Sequence, residues 1–345
     1  MCAADLGRRL LNECVETRLD KVLRTLRSIS GQEIHQDETL STLDRLLSVN
    51  YPLHRGQQPR YPALEISAED TGAGRSQLVY YIISKAILPD SHGSSDLKGK
   101  KGTVILFDAD ARFDVERLVQ IMHSYMKHVS ATGSSGTDAQ EVVEQSLQHL
   151  HVFQPRSMAS LLDGLNGLLG YLYDFSVHHS SERPVHSIVI DSASAFYWET
   201  LANLENERVA ALNAKASGVS TAAKSPSQPN PYALLVNRLR SIQQTLSCAI
   251  IATTTASAFK ESASGEQILR TLPTPWPSFP TAKLLLKRDR VEKFGLGMSW
   301  EDAEKEKSLR QTAVELGYFS AKVVGSNEYF RFTVTRDGVQ ILNNE

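Results

Sequence analysis

No apolar run in this chain approaches the roughly 18 residues that a bilayer-crossing helix needs, so no membrane-spanning segment is expected. Arg8 and Arg9 are followed by apolar residues soon broken by acids, which is not the pattern of a secretory leader. Cysteine is scarce. Cys2, Cys14 and Cys248 have neither paired nor metal-like spacing, which excludes a disulfide scaffold and points to a reducing compartment. An excess of one charge is lacking as well: 37 basic residues face 39 acidic ones, for a formal net charge of -2. No whole-molecule field therefore draws the chain to nucleic acid, and any such contact has to be local. There is no internal repeat, and Lys98-Gly-Lys100-Lys101 and Lys287-Arg288-Asp-Arg290 are too sparse to read as import signals. A soluble intracellular protein is expected.

What is present is enough apolar residue, 41% of 345, to bury a large core. Residues 8–29 read as an amphipathic helix, with Leu11, Val15, Leu19, Val22 and Leu26 at three-to-four spacing. Residues 37–49 repeat the pattern weakly, and Pro52 to Pro62 reads as a linker. The expected organisation is a helical extension and linker over 1–62 and one core domain over 63–345. From residue 63 the pattern becomes strand, loop, helix. Strands are expected at 63–66, 103–107, 150–154, 186–190 and 247–252. Helices are expected at about 75–87, 113–128, 138–149, 158–175 and 231–246. Continuous apolar strands alternating with helices imply an α/β fold, with a mostly parallel twisted sheet and helices on both faces. Segments 282–287, 317–324, 328–335 and 338–342 alternate like strands without long helices between them, and are expected to finish the sheet antiparallel. Loop-like inserts fall at 129–138, 213–231 and 256–281.

The strand Ala63-Leu-Glu-Ile66 runs into Glu69-Asp70-Thr71-Gly72-Ala73-Gly74-Arg75-Ser76, which opens an apolar helix. A phosphate-binding loop needs glycines so that backbone N–H groups can close around phosphate, a Lys for its charge, and a Ser or Thr hydroxyl for Mg²⁺. Gly72, Gly74 and Ser76 are in place, but Glu69 stands where a glycine is needed and Arg75 where the Lys should be. About 115 residues later the apolar strand His186-Ser-Ile-Val-Ile190 ends in Asp191, suited to orienting Mg²⁺ through water from a strand beside the first. ATP and Mg²⁺ are thus expected as weak ligands of Glu69–Ser76, with Ser76 and Asp191 on the metal side. Arg75 keeps the positive charge, but as a planar fork bulkier than an ammonium.

Val104-Ile-Leu-Phe107-Asp108-Ala-Asp110 puts two carboxylates at a strand's C-terminal end, where α/β sites lie. A haloacid-dehalogenase-type phosphatase ends a strand in the same Asp-x-Asp. Against it stand the motif's depth in the chain, Arg112 in place of a small hydroxyl residue, and no downstream Gly-Asp or Asp-Asp pair.

Ile82 to Pro89, Leu106-Phe-Asp-Ala-Asp-Ala-Arg-Phe-Asp-Val-Glu-Arg-Leu-Val119 and Ile190-Asp-Ser-Ala-Ser-Ala-Phe-Tyr-Trp198 resemble the RecA-type recombinase core, specifically its small eukaryotic paralogues. Ile250 to Thr255 and Phe330 to Val339 continue the resemblance in order, so that it spans roughly 60–343. It implies a RecA-like phosphate-loop ATPase core acting as an accessory subunit in homologous-recombination DNA repair in the nucleus. The partners it implies are other recombinase paralogues in a heteromeric complex, with any DNA contact shared among subunits. Active recombinases carry a catalytic Glu where this chain has Asp110, and a γ-phosphate-sensing Gln where it has Thr255. With Glu69 and Arg75, four positions depart from the pattern, and hydrolysis is expected to be slow or absent. An active DNA-dependent ATPase remains the alternative. The two DNA-facing loops of the family correspond to segments with few cations: Arg208, Lys215 and Lys224, then Lys260 and Arg270. His149, His151, His178 and His179 lack metal-like partners and read as ordinary polar residues.

Overall fold

The computed structural model describes residues 42–48, 61–68, 72–92, 95–129, 136–216, 230–255, 260–261, 267–268, 272–289 and 297–342. All belong to one unit, Ser41–Ser48 with Tyr61–Glu345. The expected helix at 8–29 and most of the linker lie outside the described residues.

Nine strands form one sheet: β1 (Ala63–Ala68), β2 (Thr103–Asp108), β3 (Leu150–Phe153), β4 (Val185–Asp191), β5 (Ala249–Thr255), β6 (Ala282–Arg288), β7 (Tyr318–Val323), β8 (Tyr329–Val334) and β9 (Val339–Leu342). Their order is β9-β8-β7-β6-β1-β5-β4-β2-β3. From β6 to β3 every neighbour is parallel, while β7, β8 and β9 add antiparallel strands. This agrees with the RecA-like α/β architecture expected, with two differences. β6 pairs parallel with β1, so the antiparallel part begins one strand later. And β4, which carries Asp191, is not beside β1: β5 lies between them.

The helices are α1 (Thr42–Leu47), α2 (Arg75–Ile87), α3 (Val115–Val129), α4 (Gly136–Leu147), α5 (Met158–Tyr173), α6 (Tyr197–Ala216), α7 (Pro231–Leu246) and α8 (Trp300–Leu316). Period-two alternation along the central strands feeds two cores. Leu64, Ile66, Val104, Leu106, Val189 and Ile251 face α2 and α3 on one side. Ile105, Phe107, Ile188, Ile190 and Ile250 face α5 and α7 on the other. Leu43 of α1 joins the first core, and Asp44 accepts both contacts of a half-buried ion pair from Lys85 of α2, at 2.9 and 3.1 Å.

Helix starts follow local chemistry. The Ser157 hydroxyl accepts from Ser160 N at 3.1 Å to cap α5, and Asn230 accepts from Tyr232 N at 2.9 Å ahead of Pro231 in α7. α2 ends under the loop around Gly99, whose neighbours' N–H groups donate to Lys85 O and Leu88 O. A Cβ at Gly99 would lie 2.3 Å from Leu88 O.

Two helices fall where none was expected. α8 interrupts the C-terminal strands, against the reading of that region as free of long helices. α6 occupies 197–216 and overlaps the start of the loop expected at 213–231. In α6 residues 201–210 are all exposed, so no core-facing stripe betrays it. α8 is laced by pairs of its own, Lys305–Asp302, Lys307–Glu304 and Arg310–Glu306 at 2.7–3.4 Å.

Candidate nucleotide site

The C-terminal ends of β1, β5, β4 and β2 converge, and nearly every described candidate residue stands there. Glu69, Asp70 and Thr71 lie outside the described residues. Gly72 and Gly74 take φ of +82° and +83°, a left-handed conformation that glycine adopts without strain. Between them Ala73 is buried in the core and pins the loop. Gly74 precedes α2 without a side-chain cap, leaving the N–H groups of the first turn directed outward, with Ser76 exposed on that turn. A side chain at Gly74 would also meet the Phe332 ring at 3.1 Å.

Arg75, the first residue of α2, turns across the site. Its guanidinium donates to Thr254 O and, at 3.1 Å, to Thr255 Oγ1 at the end of β5. Burial lowers its pKa, the charges of Asp191 and Asp110 work the other way, and Arg112 adds to the lowering. Thr255 N donates to Ser194 Oγ at 3.0 Å, tying the end of β5 to the loop after β4.

Asp191 ends β4. The register pairs Ile190 with Ala252, which sets Asp191 beside Thr253, whose hydroxyl donates to Asp191 Oδ1. On the other flank Asp191 pairs with Asp108. Burial raises the Asp191 pKa above the ordinary carboxylate value; the Thr253 bond and the Arg75 charge oppose that rise, and Asp110 and Asp108 add to it. The peptide bond that follows, Asp191–Ser192, is cis.

The two carboxylates of β2 part company. Asp108 is buried and accepts from Arg112 N at 3.0 Å, Phe113 N at 3.1 Å and Gln154 Nε2 at 3.1 Å. Both its oxygens accept bonds from the turn into α3, and Gln154 adds a third, so its buried carboxylate is held as a structural acceptor, which speaks against a nucleophile for a phosphomonoester. Asp110 is exposed at the rim.

The donor set suits a polyphosphate better than a dication. Outward N–H groups and Arg75 offer positive charge, while Asp191 already has a hydrogen bond from Thr253 and a cation in Arg75. Sequence reasoning missed Thr253, Ser194 and Gln154. The triplet Thr253-Thr254-Thr255 at a strand end was the available sign for the first of these.

Of the cations expected on DNA-facing loops, Arg208 lies exposed on α6, 3.7 Å from Glu205. Lys224 and Arg270, and the side chains of Lys215 and Lys260, lie outside the described residues. Phe196 is buried while Trp198 is exposed. The histidines form a packed network: Ser180 Oγ bonds both His149 Nδ1 and His151 Nε2 at 2.9 Å, and His151 Nδ1 bonds Tyr171 OH at 2.8 Å. Among the described residues no group of three or more His, Cys, Asp or Glu is arranged to hold a metal ion. No helix among them is long and apolar enough to cross a membrane.

No protein-family model matches the chain. It is similar to the mouse DNA repair protein XRCC2, at 26% identity over 127 residues. That stretch covers 37% of this chain and 38% of the mouse protein, so the chain spans well under half of the relative it matches.

Proposed function

We propose that this protein is an accessory recombinase paralogue in homologous-recombination DNA repair, acting in the nucleus within a heteromeric complex of recombinase-like chains that assists the strand-exchange recombinase. The observation that carries this reading is the convergence of the Gly72–Ser76 loop, Asp191 and Thr255 at one end of a RecA-like sheet, with a cation from the loop anchored to β5. The similarity to a mouse DNA repair protein supports it. The site's part is to hold nucleotide phosphate against the first turn of α2, with Ser76 and Arg75 beside it. Turnover is slow or absent, because Asp110 is a short, exposed substitute for a catalytic Glu and Thr255 is bonded to Arg75.

A pull-down of the tagged full-length chain from nuclear extract tests the assignment: recombinase-like chains are expected among the recovered proteins, and their absence argues against it. ATP hydrolysis by the purified chain at about 1 s⁻¹ or faster, in the usual enzyme range, would favour a genuine DNA-dependent ATPase instead.

A further inference from the structure

A loop that binds nucleotide phosphate with a divalent cation needs room and negative charge for that cation. Here the chain supplies its own positive charge. Asp108, Asp110 and Asp191 stand at neighbouring strand ends, and the cations among them are Arg75 and Arg112. Arg75 is also held in place, by Thr254 O and by Thr255 Oγ1 at 3.1 Å. A lysine there would be a point charge on a flexible stem, free to follow the phosphate; the guanidinium is a planar fork with donors to spare once two acceptors on β5 have fixed it. Asp191, the group expected to orient a metal through water, has one oxygen taken by the Thr253 hydroxyl.

We propose that Arg75 is a built-in counter-cation that replaces the divalent metal, so that this site binds a nucleoside triphosphate without Mg²⁺. This rests on reading Gly72–Ser76 as a phosphate loop. Free donors of the guanidinium and the first-turn N–H groups of α2 take the phosphate oxygens. The guanidinium is charged throughout the working pH range, and the repulsion between it and a dication disfavours metal at the same place.

Calorimetric titration of the full-length chain with ATP, in excess Mg²⁺ and in excess EDTA, tests this. Dissociation constants within about threefold of each other are expected. Binding that requires Mg²⁺ overturns the metal-free site but leaves the phosphate-loop reading intact. No binding in either condition overturns both. Arg75→Lys gives a second, independent readout: binding should become Mg²⁺-dependent by about tenfold or more, since the fixed fork is lost while the positive charge remains. A variant with an unchanged melting temperature that stays indifferent to Mg²⁺ would show that the guanidinium is not what replaces the metal.

Discussion

The Thr253 hydroxyl, on β5, donates its hydrogen bond to the carboxylate of Asp191 on the neighbouring strand, β4. Burial pushes the Asp191 pKa up, and the charges of Asp110 and Asp108 at the neighbouring strand end add to that rise. Thr253→Val keeps the shape and removes the donor, and should cost about 1–3 kcal/mol at neutral pH. A carboxyl whose folded pKa is raised is least costly when protonated, so the loss should shrink as the pH falls toward the Asp191 pKa. Urea denaturation at pH 7 and pH 4.5 measures both values; equal losses would show that the hydroxyl does not act on the carboxylate's charge.

Asp108 should prove to be a structural group. Asp108→Asn places an amide against two backbone N–H donors and should destabilise the turn into α3 by about 1–3 kcal/mol. The native chain should release no phosphate from p-nitrophenyl phosphate. Turnover of that substrate, lost in Asp108→Asn, would revive the phosphatase reading.

In complementation of a repair-deficient cell, Asp191→Asn should leave repair largely intact, because little chemistry depends on it. Val189→Asp places an unpaired charge at a fully buried position of the same strand, and at more than about 4 kcal/mol should abolish repair by unfolding the core. Loss of repair with Asp191→Asn, at normal protein level, would mean that the site's chemistry is needed.

His149 and His151 are held neutral, each with a pKa lowered by burial to about 4. In the unfolded chain they take protons near pH 6.5, so their contribution to stability is intact above that value and is lost as pH falls from 6.5 toward 4. Each can cost up to about 2 kcal/mol at pH 5. The fall in stability between pH 7 and pH 5 should therefore be smaller in His151→Gln than in the native chain. An unchanged difference would show that the Ser180 network opens to solvent.

The sequence made α2 and α7 legible to the residue, because Gly74 and Pro231 mark their starts and apolar residues at helical spacing follow. It could not make α6 or α8 legible. Positions 201–210 of α6 all meet solvent, and Lys305, Lys307 and Arg310 of α8 pair with acids of their own helix, while periodicity reports only the faces that meet a core. The placement of β5 between β1 and β4 was hidden for another reason: strand order is a property of crossovers, which no local pattern records. Gly72, Gly74 and Asp191 stand out as candidates by residue type and spacing. Thr253 had only the threonine triplet at its strand end as a sign, and Ser194 and Gln154 had none, since their partners lie on segments distant in sequence.

Three consecutive residues of β5 share out the site. Thr253 holds Asp191, the Thr254 hydroxyl reaches back at 3.0 Å to buried Glu65 on β1, and Thr254 O with Thr255 Oγ1 anchors Arg75. Side chains on a strand alternate faces, but all three residues are threonines, so a slip of one residue returns a hydroxyl to two of the three positions. Chains descended from a common ancestor with this one can exchange single side chains at 253–255 and lose one bond at a time. A lone insertion earlier in β5 would bring Ala252 to the place of Thr253, and a deletion Ala256 to that of Thr255, so the run of identical residues buffers the strand end against a change of length.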